Sequence, residues 1–327
     1  MLRRMVLSGA FAVVAMVAVA PQAAVAQTDY PSRPVRVLVA YPPGGFPDTT
    51  ARLFSDQLGK ILHQSFIVEN KPSSGTIVAG EAVARAAPDG YTLLAADSQM
   101  WAIAPLMYRL PFDPMKDFEP ISMLSENNNY LSVSPKSPIP PNLPDAIRFL
   151  KAHPGQFHYG SAGIGSFHHL LMEVFQAKTG IKLVHVPFKG TAQILPALSE
   201  GEIAIANHSL ASVSSYLAQG KIKMIGIIAG KRSTSYPDVP TMQEGGVSGM
   251  DIPGTMALFA PKGTPRPIID RLGQAIKTAV TQPDLRQRMD SLSVTPIGTS
   301  PEDTAATMKA DFAAFSAVAK DANLKPE

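Results

Sequence analysis

The chain has 327 residues, of which 45% are hydrophobic and 17% charged, and it contains no cysteine. Its formal net charge is only +3 and it has no run of five or more basic residues, so nothing in the composition suggests a nucleic-acid partner. The lack of cysteine excludes disulfides, thiolate metal sites, a cysteine nucleophile and a lipid anchor on an N-terminal cysteine.

The N-terminus has the pattern of a secretory signal peptide. Arg3 and Arg4 precede an apolar run over residues 5–20, and the small residues Ala24-Val25-Ala26 follow. A membrane anchor is the alternative, but the apolar run is short and interrupted, which disfavours a span. We therefore predict export, with residues 1–26 removed by cleavage after Ala26 and no membrane anchor left.

The first part of the chain after this segment alternates strand and helix patterns. Continuous apolar runs predict strands at 35–40, 65–70 and 91–96, and apolar residues at helical spacing predict a helix that includes Ala51 to Leu62 and another over 76–87. The order strand, helix, strand, helix, strand predicts a parallel sheet with right-handed connections.

The same alternation returns further along. We predict strands at 157–162, 181–188, 202–207 and 221–229. A helix is expected between the first and second of them, at 166–180, and another between the second and third, at 191–201. One more strand is expected at 256–261, and the end of the chain, residues 266–322, is helix-rich.

Two α/β lobes fit a chain of this length. No linker of low complexity separates them, so the most compact division is a discontinuous first domain, 27–128 with 253–327, and a second domain, 129–252, inserted into it. Two chain crossings between the lobes would form a hinge, and the lobes would enclose a cleft.

Two glycine-rich stretches, each between a predicted strand and a predicted helix, are the candidate ligand loops. Loop 1 is Tyr41–Asp48 (YPPGGFPD) and loop 2 is Ser161–His169 (SAGIGSFHH). Ligands of open α/β sheets bind at the carboxyl ends of strands, where the following helix offers unpaired N–H groups and a partial positive charge. Both loops therefore predict an anion site that needs no basic side chain.

Other functions of these loops are less well supported. A phosphate-binding P-loop needs a lysine that neither stretch has, the dinucleotide motif is broken at His168, and no G-x-S-x-G nucleophile turn occurs. Asp48 is either a catalytic carboxylate or a first-turn aspartate that bonds free N–H groups, and the second interpretation is favoured. His169 and Glu173 stand four apart on a helix but lack a third ligand, so we predict no metal site.

The chain resembles the substrate-binding proteins of tripartite tricarboxylate transporters, the Bug-type periplasmic receptors. The matching motifs run almost end to end, from PPGGFPDTTAR, VENKP and AVARAAPDGYTLL to GSAGIGSFHHL, VHVPFKG and APKGTP. The resemblance implies a periplasmic protein with a type II periplasmic binding fold, whose two loops grip a ligand carboxylate through backbone groups and bridging waters. It also implies delivery of the ligand to a membrane permease, with no cofactor and a monomeric receptor.

The candidate ligand-binding residues follow from the two loops and from the strand ends near them. Loop 1 supplies Tyr41, Gly44, Gly45, Phe46 and Asp48, and loop 2 supplies Ser161, Ala162, Gly163, Gly165, Ser166 and His169. The distal part of the ligand is expected to face Ser98, Trp101, Thr191, Asn207 and His208.

Two of these residues depart from the pattern of the relatives, and each has two interpretations. Trp101 is either a core residue or an aromatic wall of the pocket. His208 is either a turn histidine bonded to the backbone or a polar group for a second ligand carboxylate. With Phe46, they favour a dicarboxylate, with an aromatic acid such as terephthalate as one candidate. An exported hydrolase and a ligand sensor for a signalling system are the alternative functions.

Overall fold

The computed structural model describes residues 30–73, 76–189, 193–233, 235–292 and 294–321. The predicted signal peptide and Thr191 lie outside these residues. The strands are β1 Val35–Val39, β2 Phe66–Asn70, β3 Thr92–Asp97, β4 Phe118–Asn127, β5 Asn129–Val133, β6 His158–Ser161, β7 Val184–Pro187, β8 Ile205–Ser209, β9 Lys223–Ile228, β10 Gly254–Pro261 and β11 Val294–Pro296. The helices are α1 Phe46–Leu62, α2 Ile77–Ala84, α3 Ala104–Met107, α4 Leu143–Ala152, α5 Phe167–Thr179, α6 Ile194–Glu200, α7 Leu210–Ala218, α8 Arg266–Ala279, α9 Pro283–Asp290 and α10 Pro301–Asp321, with a π-helical segment at Gln99–Ile103 before α3.

The first sheet, sheet A, has six strands in the order β11-β4-β10-β3-β1-β2. Strands β2, β1 and β3 are parallel, as predicted, whereas β10 and β4 run antiparallel to their neighbours in the middle of the sheet. The prediction of parallel pairing, which was made for these first three strands, is confirmed, and the antiparallel strands make the whole sheet mixed.

Alternating side chains of sheet A are buried on both of its faces. Val37 and Val39 of β1 pack with α1, α8 and α9 on one face, and Leu38 packs with α2, the π-helical segment and α10 on the other. Because consecutive residues of a strand point to opposite faces, one apolar run supplies both cores. Loop 1 leaves this sheet at the carboxyl end of β1.

The second sheet, sheet B, has five strands in the order β7-β6-β8-β5-β9. Strands β7, β6 and β8 are parallel, and β5 runs antiparallel to both β8 and β9. Leu131 packs with α4 and α5 on one face, and its neighbour Tyr130 packs with α6 and α7 on the other. Loop 2 leaves this sheet at the carboxyl end of β6.

The two sheets confirm the prediction of two α/β lobes, which we name lobe 1 (sheet A) and lobe 2 (sheet B). Only Asn128 separates β4 of lobe 1 from β5 of lobe 2, and the chain returns between β9 and β10. The domain limits at residues 128 and 252 fall between the sheets, and we infer from this placement that they divide the chain. Among the described residues, no helix is long and apolar enough to span a membrane.

Candidate ligand-binding site

Loop 1 presents backbone N–H groups at the start of α1. Gly44 has φ of 92°, a conformation that glycine adopts without strain, and Gly45 caps the helix with no side-chain hydrogen bond. The N–H groups of Phe46 and Asp48 are too early in the helix to have an intrahelical acceptor, and Pro47 has no N–H. Loop 1 therefore offers positively polarised N–H groups with no basic side chain in the loop itself.

The carboxylate of Asp48 holds loop 1 together. It is 3% exposed and accepts hydrogen bonds from Gly44 N at 2.9 Å, from Arg52 Nε at 3.0 Å and from Asn70 Nδ2 at 2.8 Å. Burial alone would raise the pKa of Asp48, but the hydrogen bonds from Arg52, Asn70 and Gly44 and the Arg52 charge hold it below its usual range. This geometry agrees with the interpretation of Asp48 as a first-turn residue that bonds loop N–H groups. Its contact with a ligand stays a prediction.

Loop 2 is closed by its own side chains. Ser161 Oγ accepts from Gly163 N at 3.1 Å, and Ser166 caps α5 by accepting from His169 N at 3.2 Å. His169 Nδ1 in turn accepts from Gly165 N at 3.1 Å. Because Nδ1 accepts this bond, a neutral His169 carries its proton on Nε2. Loop 2 therefore has a fixed shape without contact from a ligand.

Beneath loop 2 lies a stack of aromatic rings. The ring of His185, from β7, lies 4.2 Å from that of His169 and 4.8 Å from that of Tyr159, with nearly parallel planes. His185 Nε2 also lies 2.6 Å from Ser161 Oγ. Burial lowers the pKa of His169, and burial together with the neighbouring His169 lowers the pKa of His185 to about 4. His169 Nε2 is 3.9 Å from Glu173, and among the described residues no three metal-ligating side chains converge.

From the lowered pKa values of His169 and His185 we predict that acid destabilises lobe 2. Their pKa values are lower in the folded chain than in the unfolded one, so the stability they contribute is full above pH 6.5 and is lost as the pH falls toward 4. We expect a loss of about 2 kcal/mol between pH 7 and pH 4.5 from His185. His185→Phe keeps an aromatic ring in the stack but cannot titrate, so its unfolding free energy should fall less over this range.

Chemical denaturation at both pH values measures this difference. His158→Phe, at an exposed position of β6, is the matched control and should keep the wild-type dependence on pH. Equal losses in the wild type and His185→Phe would show that His185 does not carry the effect.

The carboxyl end of β3 connects the two loops. Asp97 Oδ1 accepts a hydrogen bond from Tyr41 Oη of loop 1 at 2.7 Å. Two residues later, Gln99 Oε1 accepts from Phe167 N of loop 2 at 3.0 Å, and Gln99 Nε2 donates to Gly165 O at 3.2 Å. The two loops therefore lie on either side of the segment Asp97–Gln99, as expected if they face one cleft.

Asp97 is a titratable group that the sequence prediction missed. Burial raises its pKa to about 6, against the effect of the hydrogen bonds from Tyr41 and from backbone N–H groups. Burial and the nearby Asp97 raise the pKa of Tyr41 well above its usual range, so Tyr41 stays a donor at neutral pH. The position of Asp97 at the end of a buried parallel strand was the sequence signal that could have identified it.

His168, rather than His208, is paired with Asn207. Asn207 Oδ1 lies 2.6 Å from His168 Nδ1, and Asn207 Nδ2 donates to His168 O at 2.8 Å. The two groups join β8 to the first turn of α5, at the C-terminal end of loop 2. His168 was not among the predicted ligand residues, although it follows Ser166 in the same loop.

His208 lies on the opposite face of sheet B from Asn207. Its Nε2 is 2.7 Å from Ser132 Oγ, its ring is parallel to that of Tyr130 with centroids 6.4 Å apart, and its side chain is 3% exposed. Burial and the nearby His168 lower its pKa to about 3, so the ring is neutral at pH 7. In this conformation the ring lies on the same face of sheet B as Tyr130 of β5, and its contact with a ligand stays a prediction.

Trp101 occupies the core of lobe 1. Its side chain is 0% exposed, its ring packs 5.6 Å from that of Phe259, and its Nε1 donates to Asp311 at 3.0 Å. The core interpretation of Trp101 matches this position, since the ring presents no surface to a cleft here. Ser98 is also buried, whereas Phe46 and Ala162 are partly exposed at the two loops.

Comparison with known proteins agrees with this geometry. The sequence pattern of the family described as "Tripartite tricarboxylate transporter family receptor" matches residues 50–324. A UPF0065 protein of Bordetella pertussis is 37% identical over 292 residues, which cover 89% of this chain and 90% of that protein.

Two solved structures of relatives contain carboxylic acids. Rpa4515 of R. palustris, solved with adipate, superimposes with a TM-score of 0.85 at 30% identity, over 91% of this chain and all of that one. MatC of Rhodopseudomonas palustris, solved with bound malate, has a TM-score of 0.79 at 31% identity, over 88% of this chain and 99% of that one. The chain belongs to the receptor family of the tripartite tricarboxylate transporters.

Proposed function

We propose that this protein is a periplasmic receptor that captures an organic dicarboxylate between loop 1 and loop 2 and delivers it to the permease subunits of a tripartite tricarboxylate transporter. The observation that carries this proposal is the convergence of the two strand-to-helix loops on Asp97–Gln99. In this proposal the protein is exported and cleaved after Ala26. The receptor acts as a monomer and needs no cofactor.

The loops have the chemistry that a carboxylate requires. Each stands at a helix N-terminus, where N–H groups and the helix dipole stabilise an anion. Asp48 makes loop 1 rigid through Gly44, and Ser166 and His169 do the same for loop 2. Donors that are already in position lose little entropy when the ligand binds.

The ligands of the two related structures guide the choice within the carboxylates. Adipate and malate are both aliphatic dicarboxylates, and both proteins cover most of this chain. The candidate aromatic acid, terephthalate, rested on Phe46 and Trp101 as apolar walls. Since Trp101 is fully buried here, Phe46 is the one of the two that remains at the surface of the site. Aliphatic acids therefore come first in a test and terephthalate second.

A ligand screen tests the proposal. Residues 27–327 would be tested by thermal shift and by calorimetric titration against monocarboxylates, aliphatic and aromatic dicarboxylates, inorganic phosphate and sugars. We expect a saturable response to at least one dicarboxylate, none to sugars or phosphate, and recovery of the ligand chemically unchanged. A response only to sugars or phosphate would contradict carboxylate recognition, and product formation would contradict a receptor.

A further inference from the structure

One side chain of lobe 1 makes both of its hydrogen bonds to loop 2. Gln99 is the first residue of the π-helical segment after β3, and it is 7% exposed. Its Oε1 accepts from Phe167 N at 3.0 Å and its Nε2 donates to Gly165 O at 3.2 Å. The amide of Gln99 thus uses its acceptor and a donor across the boundary between the lobes.

We propose that Gln99 is a positioning residue that fixes loop 2 against lobe 1 and thereby sets the geometry of the ligand site. The proposal rests on the function proposed above, because it is the arrangement of the two carboxylate-binding loops that Gln99 would control. In this role Gln99 fixes the position of the N-terminus of α5 relative to loop 1, which a hinge between the lobes would not fix by itself.

The group that Gln99 bonds is the first N–H of α5. Phe167 is the first residue of the helix, so its N–H has no intrahelical acceptor and needs one from elsewhere. Ser166 already caps a different N–H, that of His169. Gln99 therefore adds a second capping hydrogen bond to α5 from the other lobe, and the helix start is anchored to lobe 1.

Two neighbouring contacts support the same attachment. Tyr108, just after α3, donates from Oη to Ile164 O at 3.2 Å. Loop 2 also approaches lobe 1 closely at Gly165, where an added Cβ would lie 2.9 Å from the side chain of Met107. Three residues of the segment 99–108, namely Gln99, Met107 and Tyr108, thus lie against loop 2, and Gln99 makes two hydrogen bonds to it.

Loop 1 is held by a residue just before this segment. Asp97 accepts from Tyr41 only two residues before Gln99. One short stretch of backbone therefore has a side chain bonded to each loop, and a rigid connection of this kind keeps the two loops in register. When binding groups are held in place before the ligand arrives, less of the binding free energy is lost to ordering them.

Gln99→Met tests the proposal, since methionine has a similar length and makes neither bond. Gln57→Met is the matched control: Gln57 is 3% exposed and donates to Asp284 at 2.8 Å within lobe 1, far along α1 from loop 1. Two quantities would be measured: amide hydrogen exchange across residues 163–169 without ligand, and the affinity for adipate by calorimetric titration. For Gln99→Met we expect at least fivefold faster exchange at Phe167 and at least tenfold weaker binding. For Gln57→Met we expect a lower melting temperature, with both readouts at wild-type values.

Gln99→Glu provides a second and sharper variant. When ionised, the introduced carboxylate can accept from Phe167 N but repels Gly165 O and an incoming anion, whereas the protonated form can make both bonds. The ratio of its dissociation constant to that of the wild type should therefore fall toward one as the pH is lowered from 7.5 to 5. The ratio for Gln99→Met should stay constant over the same range.

The outcomes separate this proposal from the receptor function. If the wild type binds no carboxylate, the receptor function fails, and hydrogen exchange in the ligand-free protein still decides the role of Gln99. If Gln99→Met and Gln57→Met show the same exchange across loop 2, or if Gln99→Glu is not rescued by acid while adipate binds the wild type, Gln99 does not position the loop.

Discussion

Gly165→Ala is expected to weaken dicarboxylate binding by about 100-fold. Gly165 has φ of 70°, and an added Cβ would lie 2.9 Å from Met107 Cγ and 3.1 Å from Met107 Cβ. The left-handed conformation costs a non-glycine residue about 1–2 kcal/mol, and the overlap with Met107 adds a cost of similar size. Loop 2 can relieve both only by moving, which would separate its carbonyl from Gln99 and its N–H from His169.

Gly180→Ala is the control for this substitution. Gly180 ends the same helix, α5, also with φ of 70°, but no heavy atom lies within 4 Å of the position of an added Cβ. It should reduce the melting temperature through backbone strain and leave the affinity unchanged. Calorimetric titration of both variants with adipate measures the difference. Equal affinities for the two variants would place loop 2 outside the ligand site.

Both candidate loops could be predicted from the sequence because their signals are local. Prolines and glycines end a strand, and an amphipathic pattern starts directly afterwards, so strand, loop and helix are defined within about twenty residues. The observed helices α1 and α5 begin at Phe46 and Phe167, each near the C-terminal end of its predicted loop. The two-lobe organisation followed from the repetition of this local pattern.

Strands β4 and β5 were not predicted, for a physical reason that is visible in their residues. The sequence FEPISMLSEN of β4 carries polar residues and Pro120, and Asn127 and Asn129 lie on either side of the crossing between the lobes. No local pattern marks a strand there. What makes β4 a strand is antiparallel pairing with β10 and β11, whose residues lie far along the chain, at 254–261 and 294–296.

The placement of the distal residues depended on a strand boundary. The sequence predicted a strand over 202–207, which would leave His208 in a turn, but β8 runs from Ile205 to Ser209. Inside a strand, consecutive side chains alternate, so Asn207 and His208 face opposite sides of sheet B. The C-terminal limit of β8 therefore determines on which face of sheet B each of these two side chains lies, and a prediction that ends the strand at 207 cannot place His208.

Asp97 and Gln99 could not be assigned from the sequence because their partners are distant along the chain. Asp97 meets Tyr41 across 56 residues, and Gln99 meets Gly165 across 66. A single sequence shows that polar residues follow a buried strand, but it does not show which loop they will meet. Those contacts are what would join the two predicted anion-binding loops into one site.

A further dependence of stability on pH is expected from Asp97, and Asp97→Asn is the variant that reveals it. The folded chain raises the pKa of this carboxyl from 3.8 to about 6, so the stabilising form is the protonated one. This contribution to stability is full below about pH 4 and is lost as the pH rises through 6. Asparagine is neutral at every pH and can still accept from Tyr41, so Asp97→Asn should be more stable than the wild type by about 1–3 kcal/mol at pH 8 and equal to it at pH 4.

Asp97→Asn should strengthen ligand binding at pH 8, whereas the loss of a contact with the ligand would weaken it. A dicarboxylate between loop 1 and loop 2 would bring its charge close to Asp97, so binding to the wild type should take up a proton and weaken about tenfold as the pH rises from 6 to 8. Asp97→Asn should bind more tightly than the wild type at pH 8, with little dependence on pH. Calorimetric titrations in two buffers of different ionisation enthalpy would measure the proton uptake directly. Proton uptake of the same size in both proteins would show that ligand binding does not change the pKa of Asp97. Weaker binding by Asp97→Asn at pH 8 would indicate instead that the wild-type carboxylate accepts a hydrogen bond from a donor group on the ligand.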